Sequence, residues 1–434
     1  MSDATHPDIS AILDTLYHPE LKEIDLSLDR IKRYLDAVGA PHTKLPPTIH
    51  VAGTNGKGSV VAFLRAILEA AGKKVHVYTS PHLVRFNERI VVASNEVDDA
   101  TLLPVLKDIQ ARTQEMPLTF FEATTVAAFQ LFAEHEADYC LLETGMGGQF
   151  DATNVLDATL ATVITPITKD HAEFLGETIR EIAYEKACIM RKGVPCIAGP
   201  QLPGGVEILS EYAENRHVPL YLFNKDWRLI AQPSGFAVTF EEDGVTCPAP
   251  NLAGGHQVVN AAMAVVVCEV LKDKLGLTAE QLCEGVSHAK WPARLQRLTA
   301  GPWVEMLPKG QELWLDGGHN PAAGEVVADW ASESPDVPLI AVCGMVKGKD
   351  VEGFLTSIAP VLRQLYAVDI PNEPASQSKD MIAQEAEKLG ISCEIGADIA
   401  SAVKQASAAL EQTGGRILVC GSLYLAGKVL EKHS

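Results

Sequence analysis

Positive charge, paired cysteines and long apolar runs are all scarce in this 434-residue chain. Lys and Arg number 36 against 56 Asp and Glu, and the net charge of −20 disfavours a nucleic acid or an anionic membrane as partner, because both need a basic face. The nine cysteines include no CxxC pair, so we expect reduced thiols rather than a zinc site. No stretch approaches the roughly 20 apolar residues of a membrane span, and the N-terminus has no signal-peptide pattern. We therefore expect a cytoplasmic protein with small-molecule ligands.

Short apolar segments alternate with helical patterns in the first half of the chain. Near-continuous apolar strands between helices are typical of a parallel sheet covered on both faces. The predicted strands are Thr48–Ala52, Val75–Thr79, Asp138–Glu143 and Leu160–Thr165. The predicted helices are Val60–Ala71, Thr124–His135, Glu177–Met190 and about His256–Lys272. Proline, glycine and short alternating stretches in residues 200–255 predict a small β-rich excursion.

A second alternating pattern follows Trp291–Pro302, a segment whose proline, glycine and polar residues are typical of a linker. Its predicted strands are Glu312–Asp316, Pro338–Gly344, Gln364–Asp369 and Arg416–Gly421. We therefore expect an α/β protein of two domains. Residues 1–297 would form a domain with a mostly parallel sheet, and residues 298–434 a smaller, Rossmann-like α/β domain.

A glycine-rich run, GTNGKGS, lies between the first predicted strand and its helix. Its residues are Gly53, Thr54, Asn55, Gly56, Lys57, Gly58 and Ser59. Glycines let backbone N–H groups turn toward phosphate oxygens, the helix N-terminus attracts anions, and Lys57 can neutralise the β- and γ-phosphates of ATP. The match to GxxxxGK[ST] is imperfect, because Gly58 follows the lysine and leaves no hydroxyl where the usual magnesium ligand stands. A glycine-rich turn without a ligand is the alternative.

The departure from the general pattern is informative, because GTNGKGS resembles the loop of the Mur ligase superfamily of ATP-dependent, amide-forming enzymes. Within it, the chain is similar to the dihydrofolate synthase/folylpolyglutamate synthase family from about Leu16 to Leu425. The runs that carry the resemblance are IDLSLDRIKRYLDAVG, TSPHLVRFNERI, FFEATT, LLETGMGGQFDATN, TKDHAEFLG, YEKACIM, GGHQVVNAAMA, WPARLQ, DGGHNPAAG and VCGSLYLAG.

The resemblance implies a nucleotide and metal site. Besides the loop, it implies ATP contacts by Asn260, Arg294 and Asp316. It implies magnesium ligands at Ser80, Glu143 and His171. It also implies a carbamylated Lys186 as an oxygen ligand of a second Mg²⁺, so Lys57, Lys186 and His171 are the expected catalytic residues. From the residues alone, a structural histidine and a surface lysine remain the alternatives for His171 and Lys186.

The resemblance also implies where the two other substrates bind. The residues implied for the pterin-bearing substrate are Leu26, Ser27, Arg85, Phe121, Glu122, Asp151 and Ala152. Those implied for L-glutamate are His319 and Ser422. From the residues alone, Arg85 could be an ordinary surface charge and Phe121 a buried core aromatic.

The expected activity is ATP-dependent ligation of L-glutamate to 7,8-dihydropteroate and to reduced folates through an acyl phosphate, shielded from water by a cleft that closes between two domains. A folylpolyglutamate synthase without the first activity, and a P-loop nucleotide-dependent regulatory binder, are the alternatives. A cell-wall Mur ligase is disfavoured, because only 52 residues precede Gly53. The family resemblance implies a monomer.

Overall fold

The computed structural model describes residues 5–16, 27–170, 172–240 and 244–433, and divides the chain into two compact units. The first unit contains the described residues up to Asn251 together with Gln257–Lys290. The second contains Leu252–His256 and the described residues from Trp291 onward. This division falls a few residues before the boundary drawn from the sequence at 297/298.

The first unit is built on an eight-stranded sheet in the order β4-β3-β2-β5-β1-β6-β7-β8. Its strands are β1 Thr48–Ala52, β2 Val75–Tyr78, β3 Ile90–Val92, β4 Asn95–Glu96, β5 Tyr139–Glu143, β6 Ala161–Ile164, β7 Cys196–Ala198 and β8 Leu220–Leu222. Only the two strands at one edge, β3 and β4, run antiparallel to their neighbours. The predicted mostly parallel sheet is therefore confirmed.

Helices cover this sheet. They are α1 Pro7–Leu16, α2 Asp29–Ala37, α3 Lys57–Ala70, α4 Asp99–Arg112, α5 Phe120–Glu134, α6 Ala172–Leu175, α7 Ile179–Ala187, α8 Pro203–Arg216, α9 Gly255–Val270, α10 Lys272–Leu275 and α11 Ala279–His288, with short 3₁₀ turns at Pro41–Lys44 and Phe86–Arg89. The predicted start of α5 at Thr124 was wrong by one turn. A capping box at Thr119 begins the helix earlier, because Thr119 and Glu122 each accept a hydrogen bond from the other's backbone N–H.

The β-rich excursion predicted for residues 200–255 is only partly present. A separate antiparallel sheet does form, with strands β9 Arg228–Gln232, β10 Gly235–Thr239 and β11 Gly244–Pro248. However, α8 occupies Pro203–Arg216, where sequence reasoning took a proline and two glycines as turn punctuation. The prediction failed because proline is favoured in the first turn of a helix, where its missing N–H has no partner to lose.

The second unit contains a six-stranded sheet in the order β12-β13-β17-β14-β15-β16, with only the edge strand β12 antiparallel. Its strands are β12 Gln296–Leu298, β13 Gln311–Leu315, β14 Leu339–Cys343, β15 Leu362–Ala367, β16 Cys393–Ile395 and β17 Gly415–Cys420. Its helices are α12 Pro302–Glu305, α13 Pro321–Ser332, α14 Val351–Ile358, α15 Lys379–Lys388, α16 Ile399–Ala409 and α17 Leu423–His433, with a 3₁₀ turn at Ala359–Val361. The segment interpreted as a linker therefore contains a strand, β12.

The position of the candidate site follows from the burial of the central strands. Every side chain of β1, β2 and β6 is buried, because apolar helices cover both faces of the sheet. Parallel strands end at a common edge, so the segments that follow β1, β2, β5 and β6 meet there. In the described part of the chain, no helix is long and apolar enough to cross a membrane.

Candidate functional site

The phosphate loop, Gly53–Gly56, connects β1 to α3 and is held by the segment that follows β6. The N–H groups of Thr54 and Asn55 both donate to Pro166 O, at 3.1 and 3.3 Å. The Thr54 hydroxyl donates to Thr168 O and accepts from Thr168 N, at 3.0 and 3.1 Å. These hydrogen bonds define the shape of the loop.

Two of its glycines are needed for that shape. Gly53 and Gly56 have φ angles of +151° and +89°. A Cβ at Gly53 would overlap Thr165, and a Cβ at Gly56 would overlap the Asn260 amide. Asn260, predicted from the resemblance to contact ATP, is thus buried directly beside the phosphate loop, with its Nδ2 on Gln257 Oε1 at 3.1 Å. Gly58 and Ser59 are buried in the first turn of α3.

Two lysine side chains converge on one carbonyl of the loop. Lys57 Nζ donates to the carbonyl oxygens of Gly53 and Thr54, both at 3.2 Å, and Lys186 Nζ donates to Gly53 O at 2.9 Å. Lys186 lies on α7 and is only 3% exposed. Burial, followed by the nearby charge of Lys57, lowers the pKa of Lys186 to about 7. The alternative of a surface lysine is therefore excluded, and a fraction of Lys186 is neutral at physiological pH.

A buried carboxylate lies against the backbone of a serine at the same edge of the sheet. Glu143 is the last residue of β5 and is 4% exposed, and its Oε2 accepts from Ser80 N at 3.2 Å. These are two of the three metal ligands expected from the resemblance. The third, His171, lies outside the described residues. Within the described ranges, no three His, Cys, Asp or Glu residues cluster as a metal site would require.

The loop after β5, Gly145–Thr153, is held together by hydrogen bonds to the carboxylate of Asp151. Asp151 Oδ2 accepts from Gly145 N and Met146 N at 2.8 and 2.9 Å, while Oδ1 accepts from the N–H and hydroxyl of Thr153. Burial raises the pKa of Asp151, and these hydrogen bonds oppose that shift. Ala152 is buried inside the same loop.

Sequence reasoning missed two residues that hold this loop. His50, in the middle of β1, has Nε2 2.8 Å from Thr153 Oγ1, and burial lowers its pKa to about 3. Arg191 donates to Asn154 Oδ1 at 2.6 Å and to Cys188 O at the end of α7 at 3.0 Å. A histidine within an otherwise apolar strand was the available signal for the first. The second had no local signal.

The residues that the resemblance implies for the pterin-bearing substrate have well-defined partners. The Phe121 ring lies 6.0 Å from the Tyr78 ring, and a Cβ on Gly145 would overlap it. Glu122 accepts from Arg30 Nε at 2.8 Å and caps α5, Arg85 pairs with Asp99 at 3.1 Å, and Ser27 accepts from the N–H of Asp29. Leu26 lies outside the described residues.

The remaining predicted residues belong to the second unit. Asp316, the residue directly after β13, accepts from Leu295 N at 2.8 Å and from Gly318 N at 2.7 Å. Arg294 donates to Ala293 O. Burial lowers the pKa of His256 to about 4; the charge of Asp316 opposes this shift and that of Arg294 adds to it. His319 Nδ1 lies 3.1 Å from Gly317 O, and buried Ser422 accepts from Tyr424 N in the first turn of α17. Asp316 and His319 lie on the segment that follows β13, and Ser422 follows β17, its neighbour in the sheet, whereas Arg294 precedes β12.

Two family models match the chain. The Mur ligase middle domain matches residues 51–268, and the C-terminal domain of dihydrofolate synthetase matches residues 304–432. A dihydrofolate synthase/folylpolyglutamate synthase of Bacillus subtilis (strain 168) is 32% identical over 373 residues, which cover 82% of this chain and 83% of that protein. The chain belongs to the dihydrofolate synthase/folylpolyglutamate synthase family.

Solved structures of the family have the same fold over almost the whole chain. E. coli FolC in complex with DHPP and ADP has a TM-score of 0.86 and 30% identity, covering 99% of this chain and 98% of that one. The bifunctional folylpolyglutamate synthase/dihydrofolate synthase of Yersinia pestis, complexed with AMPPNP and Mn ion, has a TM-score of 0.85 and 31% identity, covering 98% and 97%. The predicted family and the predicted α/β fold are both confirmed.

Proposed function

We propose that this protein is an ATP-dependent acid–amino-acid ligase that adds L-glutamate to 7,8-dihydropteroate and to reduced folates. The observation that carries the proposal is the convergence of Lys57 and Lys186 on Gly53 O, at the N-terminus of α3 and at the same sheet edge as Glu143. The Lys57 cation and the N-terminus of α3 attract phosphate, and family membership supplies the substrate class.

The chemistry requires an activated carboxylate. The acceptor carboxylate attacks the γ-phosphorus of ATP, the bond to the β-phosphate oxygen breaks, and ADP leaves. The amine of L-glutamate then attacks the acyl carbon of the acyl phosphate, and inorganic phosphate departs with the electron pair of the broken C–O bond. The chain contributes positioning and charge neutralisation through Lys57 and the loop amides.

The donor set at the end of β5 fits magnesium, because a buried carboxylate lies next to a serine and Mg²⁺ prefers hard oxygen ligands. We assign Ser80, Glu143 and His171 as its ligands. When bound, Mg²⁺ neutralises the charge of the phosphates. The lowered pKa of Lys186 supports its carbamylation, since only a neutral amine attacks CO₂, and the carbamate would hold a second ion.

The remaining roles rest on family membership and on where these residues lie. Asn260, Arg294 and Asp316 would contact ATP, and His319 and Ser422 would bind L-glutamate. The residues assigned to the pterin side are Leu26, Ser27, Arg85, Phe121, Glu122, Asp151 and Ala152. The domain assignments of 1–297 to ATP and pterin and 298–434 to glutamate follow the same logic.

Paired assays test the proposal. ADP release from ATP is measured with L-glutamate and either 7,8-dihydropteroate or a reduced folate as acceptor. Release with both acceptors is expected. Release with the folate alone would leave a folylpolyglutamate synthase, and tight nucleotide binding without acceptor-stimulated release would favour a nucleotide-dependent regulatory protein.

We further propose a monomer acting in the cytoplasm. The net charge of −20 and the relatives' small-molecule substrates agree with that location. Light scattering at assay concentration gives the oligomeric state directly, and a mass of about 93 kDa in place of the 46.7 kDa of one chain would contradict a monomer.

A further inference from the structure

A chain of three buried side chains connects β1 to the loop after β5. His50 lies three residues before the phosphate loop, and its Nε2 is 2.8 Å from Thr153 Oγ1. The Thr153 hydroxyl donates to Asp151 Oδ1, and Asp151 Oδ2 accepts from Gly145 N and Met146 N. His50 and Thr153 are fully buried and Asp151 is 5% exposed. Nothing in the activity described above uses His50 or Thr153.

The direction of these hydrogen bonds follows from the acceptor at their end. An ionised carboxylate can only accept hydrogen bonds, so Thr153 donates its single hydroxyl proton to Asp151. The Thr153 oxygen must then accept from His50, which places the ring proton on Nε2. Nδ1 of His50 is then the bare nitrogen, and it has no hydrogen-bond partner among the described residues. Burial keeps the ring neutral, with a pKa of about 3.

The carboxylate of Asp151 is saturated by its own loop. It has about four lone-pair sites and receives four donors, namely the N–H groups of Gly145, Met146 and Thr153 and the Thr153 hydroxyl. No site remains for a bond from a ligand. The carboxylate therefore shapes the loop, and the loop in turn presses against the Phe121 ring, because Gly145 has no room for a Cβ there.

We propose that His50 and Thr153 are positioning residues for the pterin-bearing acceptor, which act by holding the Asp151 carboxylate and so the wall of the acceptor site formed by Gly145–Ala152 and Phe121. This inference rests on the proposed function, since it takes the acceptor to bind against that wall. It differs from a direct contact between the Asp151 side chain and the substrate.

Thr153 offers a matched pair of variants. Thr153→Val keeps the shape but deletes the hydroxyl, so Asp151 loses a donor and His50 loses its acceptor. Thr153→Ser keeps the hydroxyl. Two hydrogen bonds are lost in Thr153→Val, and each is worth roughly one factor of ten in an equilibrium constant. We therefore expect Thr153→Val to raise the KM for 7,8-dihydropteroate by about tenfold or more, and Thr153→Ser to remain within about threefold of wild type.

Two measurements separate positioning from general damage. The first is the Kd for ADP by calorimetry, which should be unchanged in both variants because the phosphate loop is held by Pro166 and Thr168. The second is the affinity for 7,8-dihydropteroate from quenching of protein fluorescence, which should weaken in parallel with KM. His50→Gln presents an amide N–H near the position of Nε2 and should therefore keep more of the wild-type affinity for the acceptor than His50→Leu does.

Three outcomes would overturn the inference. They are an unchanged acceptor KM in Thr153→Val, an equal loss in Thr153→Ser and Thr153→Val, or an equal weakening of ADP and acceptor binding. A wild-type protein that releases no ADP in response to acceptor and glutamate would instead defeat the proposed function, so the two failures are distinguishable.

Discussion

Two glycine-rich loops follow neighbouring strands of one sheet, and they are held in opposite ways. The phosphate loop after β1 offers a carbonyl, Gly53 O, to two lysines. The loop after β5 offers its N–H groups to a buried carboxylate, Asp151. In the first, the side chains donate to a backbone carbonyl and carry no carboxylate partner in that contact. In the second, the Asp151 carboxylate and the N–H groups of the loop already pair with each other, so the loop gives the site its shape rather than a charge.

Removing the charge of the phosphate loop should have the largest effect. Lys57→Ala should lower kcat for ADP release by about 10²–10³-fold or more, because the lysine neutralises charge that develops on the transferred phosphate. The control is Lys192→Ala, which removes an exposed lysine just after α7. If Lys57→Ala retained acceptor-dependent release at the wild-type rate, charge would not be what this loop contributes.

Lys186→Met tests the buried lysine, with opposite effects on activity and stability. Burial lowers the pKa of Lys186 from 10.5 to about 7, so between these values the folded protein binds fewer protons than the unfolded chain. The free energy of unfolding of the wild type in CO₂-free buffer should therefore rise with pH from about 7 to about 10.5. Below pH 7 the folded protein carries the full free-energy penalty of burying the Lys186 ammonium.

The Lys186→Met variant lacks that penalty. We expect it to be more stable than wild type at pH 7, with a flatter pH profile, and to lose about 10²-fold in kcat. Urea unfolding across this pH range is the measurement. Lower stability at pH 7 would mean that the ammonium is well compensated by its partners, contrary to the lowered pKa.

Asp151→Asn breaks the second loop without changing its size. The amide NH₂ cannot accept the hydrogen bonds that one carboxylate oxygen now accepts, so two buried donors lose their partner. We expect a loss of about 1–3 kcal/mol in the free energy of unfolding and a raised acceptor KM, with ADP affinity unchanged. A change in ADP affinity without a change in the acceptor KM would mean that the loop after β5 serves the nucleotide and not the acceptor, contrary to the comparison.

Glu122→Gln should have the smallest effect. The Glu122 carboxylate caps α5 and pairs with Arg30, so we expect it to serve the pterin side by holding this helix. Its removal should cost about 1 kcal/mol of stability and raise the acceptor KM by no more than about twofold. Thr119→Ala, which removes the other half of the capping box, is the matched control. A large KM effect in Glu122→Gln only would show that this carboxylate touches the substrate.

Local signals determined how much could be predicted from the sequence. The bounds of β1 were predicted correctly because Thr48–Ala52 is a short run typical of a buried strand and is followed at once by Gly53. The phosphate loop was recognised because its glycines and its lysine are close together in the sequence. The missed contacts are long-range: Lys186 reaches Gly53 across 133 residues, and His50 reaches Thr153 across 103. Periodicity carries no information about such pairs. Only the topology of the sheet brings the ends of β1, β5 and β6 together.

Isotope transfer tests the central claim, ligation through an acyl phosphate, most directly. 7,8-Dihydropteroate with both carboxylate oxygens labelled as ¹⁸O is incubated with the enzyme, ATP, Mg²⁺ and L-glutamate, and the inorganic phosphate is analysed by mass spectrometry. The account predicts one ¹⁸O atom per phosphate released, because the oxygen that attacked the γ-phosphorus departs with it. Phosphate without ¹⁸O, formed together with the amide product, would contradict the account.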